Sequence, residues 1–134
     1  MSYYFSTIIK DDFDNAVDKT TELLQKEGFG VLTQIDIQQT LKKKLDVDFN
    51  RYKILGACNP QFAYKALQAE NKIGTMLPCN VIIQELDNGT IEVAAVNPIQ
   101  SMQAVTNPAL EGIANDVANK LKNMIKNLSD KTSF

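Results

Sequence analysis

Histidine and tryptophan are both missing from these 134 residues. With histidine go the imidazole general base, the His-centred nucleophile triads and the commonest protein ligand of zinc and haem. Cysteine occurs twice, at Cys58 and Cys79, too rarely for a small scaffold held by disulfides. Six glycines and four prolines exclude collagen-like and low-complexity chains. No apolar run approaches the roughly 18 residues that a bilayer span requires. The opening Met-Ser-Tyr-Tyr-Phe-Ser has neither the basic n-region nor the apolar h-region of a secretory signal. The expected location is therefore cytoplasmic, with both thiols reduced. Fourteen basic against sixteen acidic side chains leave a formal net charge of −2. So weak a field directs the chain to neither nucleic acid nor an anionic membrane surface.

What is present suits one domain over residues 1–134, 44% hydrophobic and 22% charged, long enough to bury a single core. Residues 3–9 are aromatic and β-branched, as a first strand requires. Asp11 and Asp12 then offer N-cap oxygens. Phe13, Ala16, Val17, Thr20, Leu23 and Leu24 follow at helical spacing, and Gly28 stands where a left-handed residue stops a helix. Val31, Thr33 and Ile35 alternate with Gly30, Leu32 and Gln34 in a second strand. Asp36 and Gln39 have the spacing of a capping box, opening a short helix with Ile37, Leu41 and Leu45 on one face and Lys42, Lys43 and Lys44 on the other.

Residues 52–57 form a third strand. Asn59-Pro60 starts a helix, because asparagine caps well and proline fits the first helical position; Phe62, Ala63, Ala66 and Leu67 give it a buried face. Residues 81–86 and 90–96, joined through Asp87-Asn88-Gly89, read as a hairpin. After Asn107-Pro108, the residues Leu110, Ile113, Ala114, Val117, Leu121, Met124, Ile125 and Leu128 sustain the stripe of the longest helix. From Ser129 the chain reads as a frayed tail.

Strand, helix, strand, short helix, strand, short helix, two strands and a long helix lack the regular alternation of a doubly wound sheet. The order predicts an α+β domain: a mostly antiparallel five-stranded sheet covered on one face by the first and last helices, with two short helices inserted between strands. If the third and fourth strands are antiparallel neighbours, Cys58 and Cys79 share one end of the sheet.

Two strings stand out, Leu55-Gly56-Ala57-Cys58-Asn59-Pro60 and Leu77-Pro78-Cys79-Asn80-Val81. With Ala63-Tyr64-Lys65-Ala66-Leu67 and the closing Asn97-Pro98, they make the chain resemble domain-of-unknown-function family 302 over residues 35–98. The resemblance implies a small α+β domain with a TATA-binding-protein-like β-α-β(4)-α arrangement, and a homodimer; it implies no activity. Asn97 stands where that family often has aspartate, so a charge is missing there.

Cys58 immediately precedes a helix N-terminus, where free N–H groups and the dipole favour thiolate. Cys79 follows a rigid proline. A site lined by Cys58, Asn59, Pro78, Cys79 and Asn80 is therefore expected, the two asparagine amides converging on a polar ligand. Its occupant is a soft metal held by Cys58 and Cys79 or a small thiol-reactive molecule. Three readings stay open. One is a non-enzymatic ligand-binding or assembly module. A second is a thiol-dependent redox enzyme with Cys58 attacking and Cys79 resolving. In the third, the cysteines only pack, as buried free thiols commonly do, and asparagine at position 59 only caps. Lys42–Lys44 with Arg51 and Lys53 read as a solvated face, and Asp11, Asp12 and Asp14 as charges that suit a helix start. Neither group has the spacing of a phosphate loop or a calcium loop.

Overall fold

In a computed structural model that describes residues 2–131, the chain forms β1 (Tyr4–Ile9), α1 (Phe13–Lys26), β2 (Gly30–Asp36), α2 (Ile37–Leu45), β3 (Tyr52–Cys58) and α3 (Pro60–Ala69). A 3-10 helix (Asn71–Met76), β4 (Cys79–Glu85), β5 (Ile91–Val96), α4 (Pro98–Ser101) and α5 (Pro108–Lys131) complete it. The five strands make one sheet in the order β1-β5-β4-β3-β2, every neighbouring pair antiparallel. Successive strand residues face opposite sides. Leu55, Ala57, Val81, Ile83, Ile91, Val93 and Ala95 all face one side, where they pack against Phe13, Ala16 and Leu24 of α1 and Leu121, Met124 and Leu128 of α5. This is the expected α+β architecture, with its helical layer on a single face. No helix is long and apolar enough to cross a membrane.

Local chemistry sets the boundaries of these elements. The Asp12 carboxylate caps α1 by accepting the Asn15 N–H at 2.8 Å. At the other end Gly28 takes φ +88°, and the N–H groups of Gly28 and Phe29 donate to the carbonyls of Gln25 and Leu24, a Schellman closure. Asp36 likewise caps α2 through the Gln39 N–H. The β4–β5 hairpin turns at Gly89, whose φ of +82° is the left-handed residue of a three-residue loop.

Several segments differ from the sequence reading. The 3-10 helix and α4 are too short to show a periodicity. Helix α2 buries none of its residues, and Leu45 stays 66% exposed. Strand β2 does not alternate throughout, because its register shifts between Val31 and Thr33. Val31 packs on the core, Leu32 is 70% exposed, and Thr33 pairs with Gly56. One bulged residue thus sends the rest of the strand to the opposite face. Finally, α5 continues through Ser129 to Lys131; the last residues of the expected frayed tail, 132–134, lie outside the described residues.

Two buried positions make the fold sensitive to small changes. A Cβ on Gly56 would sit 2.6 Å from Thr33 Cγ2 and 2.9 Å from Pro78 Cγ. Gly56→Ala should cost about 1–3 kcal/mol in urea unfolding, and adding Thr33→Ser should recover part of it. Asn97 is 1% exposed. Its Nδ2 donates to the Ser2 carbonyl at 3.0 Å, while its Oδ1 accepts from the Ile99 N–H at 3.1 Å. An aspartate lacks the donor, so Asn97→Asp should lose about 1–3 kcal/mol at neutral pH. Protonation restores a donor, and the deficit should narrow as the unfolding experiment is moved to acid.

Candidate functional site

The antiparallel β3–β4 pair brings the end of β3 and the start of β4 to the same end of the sheet. A cleft there, roofed by α3 and α5, is lined by Cys58, Asn59, Pro78 and Cys79 together with Phe29 and Phe62. Four of the five expected residues therefore share one wall. The fifth does not. Asn80 follows Cys79 along β4, and the strand alternation turns it to the exposed face, so the two asparagine amides do not converge. The cleft holds about 40 Å³ of free volume, space for a water or two and far below the roughly 300 Å³ of a small-molecule site.

The cysteines are free and are not a facing pair. Cys79 registers against Ala57, and Cys58 against Gly30. Cys79 is 8% exposed and belongs to the core. Burial, with a smaller contribution from Cys58, pushes its thiol up to about 11, so it keeps its proton at neutral pH. That protonated sulfur is a poor metal ligand and a poor resolving nucleophile. Among the described residues no group of three or more His, Cys, Asp or Glu side chains is placed to hold a metal ion.

Asn59 departs from expectation too. It precedes α3, but its side chain makes no capping hydrogen bond. Its Nδ2 reaches across to the Glu27 carbonyl at 3.3 Å, beside Gly28. The amide thus serves a carbonyl left over at the end of α1 and ties that helix to the start of α3.

The opposite face of the sheet is arranged differently. Register places Ile8, Glu92, Gln84 and Tyr52 in one cross-strand row, and Ser6, Ala94, Ile82, Ile54 and Ile35 in the next. Neither α1 nor α5 covers these rows. They contribute to a groove of about 400 Å³, with Ile82, Ala94 and Val96 along it and Tyr3, Tyr4 and Tyr52 as its aromatic members. The Tyr3 and Tyr4 rings meet edge to face at 4.9 Å. Gln84 Nε2 donates to Glu92 Oε1 at 2.8 Å. Burial first, then Glu92 and Tyr3, hold the Tyr52 phenol above its ordinary range, so it stays a neutral hydroxyl. The sequence signal for this groove lay in the polar positions of the hairpin, Asn80, Gln84 and Glu92, which alternate with core residues.

A family model described as a domain of unknown function, DUF302, matches residues 5–128. The chain belongs to the DUF302 family. Its fold is similar to that in a crystal structure of an uncharacterised conserved DUF302 protein from Bacillus stearothermophilus, at 28% identity and a TM-score of 0.87, covering 94% of this chain and 98% of that one. No curated protein matches it.

Several members of the remaining charged clusters of this DUF302 chain form ion pairs. Lys42 pairs with Asp46 at 3.0 Å and Asp48 at 3.2 Å. Arg51 pairs with Asp14 at 3.0 Å and lies 4.3 Å from the centre of the Phe13 ring, fastening the loop before β3 to α1. Asp11 pairs with Lys19 at 2.7 Å, a hydrogen-bonded contact that holds its carboxyl below the ordinary range. The two thiols should separate sharply under native labelling. Half-exposed Cys58 should react with a maleimide in the folded protein, whereas Cys79 should react only on unfolding. Mass spectrometry of a labelling time course, mapped by peptide, reads both rates.

Proposed function

We propose that this DUF302 domain is a non-enzymatic ligand-binding module whose binding surface is the open face of the sheet, and that its cysteines pack. One observation carries this reading. The face away from α1 and α5 sets Tyr3, Tyr4 and Tyr52 with the apolar Ile82, Ala94 and Val96 around a groove of about 400 Å³, while the cysteine cleft offers about 40 Å³. A thiol redox cycle is less well supported, because its resolving sulfur would be the buried, protonated Cys79. A soft-metal site would need that same sulfur as thiolate. Nucleic acid fits poorly as well: the charged side chain lining the groove is Glu92, the wrong sign for phosphate. The TATA-binding-protein-like likeness therefore enters as architecture alone. A reducing cytoplasmic setting, in which neither thiol needs a partner, goes with this reading.

The test uses N-phenylnaphthylamine, an uncharged dye that brightens in apolar surroundings. The wild-type chain should bind it saturably. Ala94→Trp, which fills the groove, should abolish binding, and Cys58→Ser should leave it intact. Binding lost in Cys58→Ser but kept in Ala94→Trp would move the site to the cleft. An absence of saturable binding would overturn the reading. Sedimentation run alongside reports on the homodimer: a dimer that Ala94→Trp dissociates would be a second copy seated on this face.

A further inference from the structure

Resting on that reading, we propose that the groove selects organic cations: a planar, apolar body carrying a weakly hydrated positive charge, as in an aromatic or quaternary ammonium ion. Charge is the first argument. Glu92 is half-buried and is the acidic side chain in the groove lining. Among the described residues no lysine or arginine forms an ion pair with it, and none lines the groove. Its one described hydrogen bond comes from the neutral Gln84 amide, so its negative charge is unbalanced. Beside an apolar floor, such a charge acts on a ligand more strongly than it would in water.

The aromatic groups make the second argument. Tyr3, Tyr4 and Tyr52 border the groove, and the electron-rich face of a neutral tyrosine attracts a cation. Ile82, Ala94 and Val96 supply apolar contact between them. The small side chain of Ala94 leaves room beside Ile82 for a flat ring system. This donor set selects against other occupants. An anion meets Glu92 with no compensating base. A calcium or magnesium ion seeks about six oxygen ligands or more, against one carboxylate and neutral groups here. A strongly hydrated ammonium gives up its water to a floor that cannot replace it.

The experiment compares three probes with the same three-ring body, titrated into the unmodified chain by calorimetry at mildly alkaline pH. N-methylacridinium is positive, acridine is neutral and anthracene carboxylate is negative. The cation should bind on the order of tenfold more tightly than acridine, and the anion more weakly than both. Glu92→Gln retains an acceptor for Gln84 and should bring the cation to within about threefold of acridine measured on the same variant. Because the charge series needs no variant, a poorly folded Glu92→Gln would not cloud the result. Acridine binding that Ala94→Trp blocks, with equal affinity for the cation and no effect of Glu92→Gln, would overturn the cation preference and leave the binding module standing. Failure of all three probes, with failure of N-phenylnaphthylamine, would overturn both.

Discussion

Two long amphipathic helices against one face of a five-stranded sheet set the terms for everything else in this molecule. Leu24 of α1 and Leu121, Met124 and Leu128 of α5 are fully buried in the same cluster as Val81, Ile83, Ile91, Val93 and Ala95. Each large side chain so buried contributes about 1.5–3 kcal/mol. Helices α1 and α5 both lie on this side, which leaves the other free of them. The short helices α2 and α3 sit at the margins, one burying no residue and the other burying Ala66. A buried and an open face are therefore the main asymmetry of the fold, and strand alternation decides which residues belong to each.

That alternation sorts the residues of the two distinctive sequence strings. In Leu55–Pro60, Leu55 and Ala57 go to the core. Gly56 lies between them without a Cβ because Thr33 and Pro78 press where one would be. In the second string Pro78 supplies that pressure, Cys79 lies opposite Ala57 in the core, and Asn80 turns outward. Asn59 spends its amide on the end of α1. Gly56, Asn59, Pro78 and Cys79 thus each have a packing or hydrogen-bonding task at the junction of α1, α3, β3 and β4. A cluster of cysteine, asparagine and proline resembles a reactive site in sequence, and here Gly56, Pro78 and Cys79 of the two strings also fill a crowded strand end.

The sequence made some elements legible because their causes are local. The α1 boundaries follow from Asp12 and Gly28, and the hairpin from Gly89. The α5 stripe needs only its own periodicity, and the antiparallel α+β sheet with helices on one face followed from element order. The rest depended on contacts distant along the chain. Nothing near Leu32 announces the bulge that redirects Thr33 and Ile35. Asn59 looks like a cap until Glu27, distant in sequence, presents a carbonyl. The cysteines were correctly placed at one end of the sheet, yet facing requires register, and register gave Cys79 to Ala57 and Cys58 to Gly30. The groove was hidden for a related reason. Its members come from β3, β4 and β5 and from Tyr3 and Tyr4 near the start of the chain, and no local motif joins them.

Glu92 gives the open face its chemical character. On a solvated strand, a glutamate opposite glutamine would be unremarked, since exposed polar positions are cheap. Here it shares its cross-strand row with Ile8, Gln84 and Tyr52 and adjoins a row of Ser6, Ala94, Ile82, Ile54 and Ile35. Partial removal from water raises the cost of a carboxylate's charge unless an opposite charge or hydrogen bonds repay it. The fold supplies one neutral donor, Gln84, and no lysine or arginine lines the groove beside it. A second copy of this chain would cover the same apolar rows, but the groove residues it would present include no lysine or arginine to balance Glu92. A cationic aromatic ligand meets both demands at once, covering apolar surface and balancing the carboxylate. The free energy left unspent at Glu92 is therefore better matched by a ligand of opposite charge than by self-association through this face.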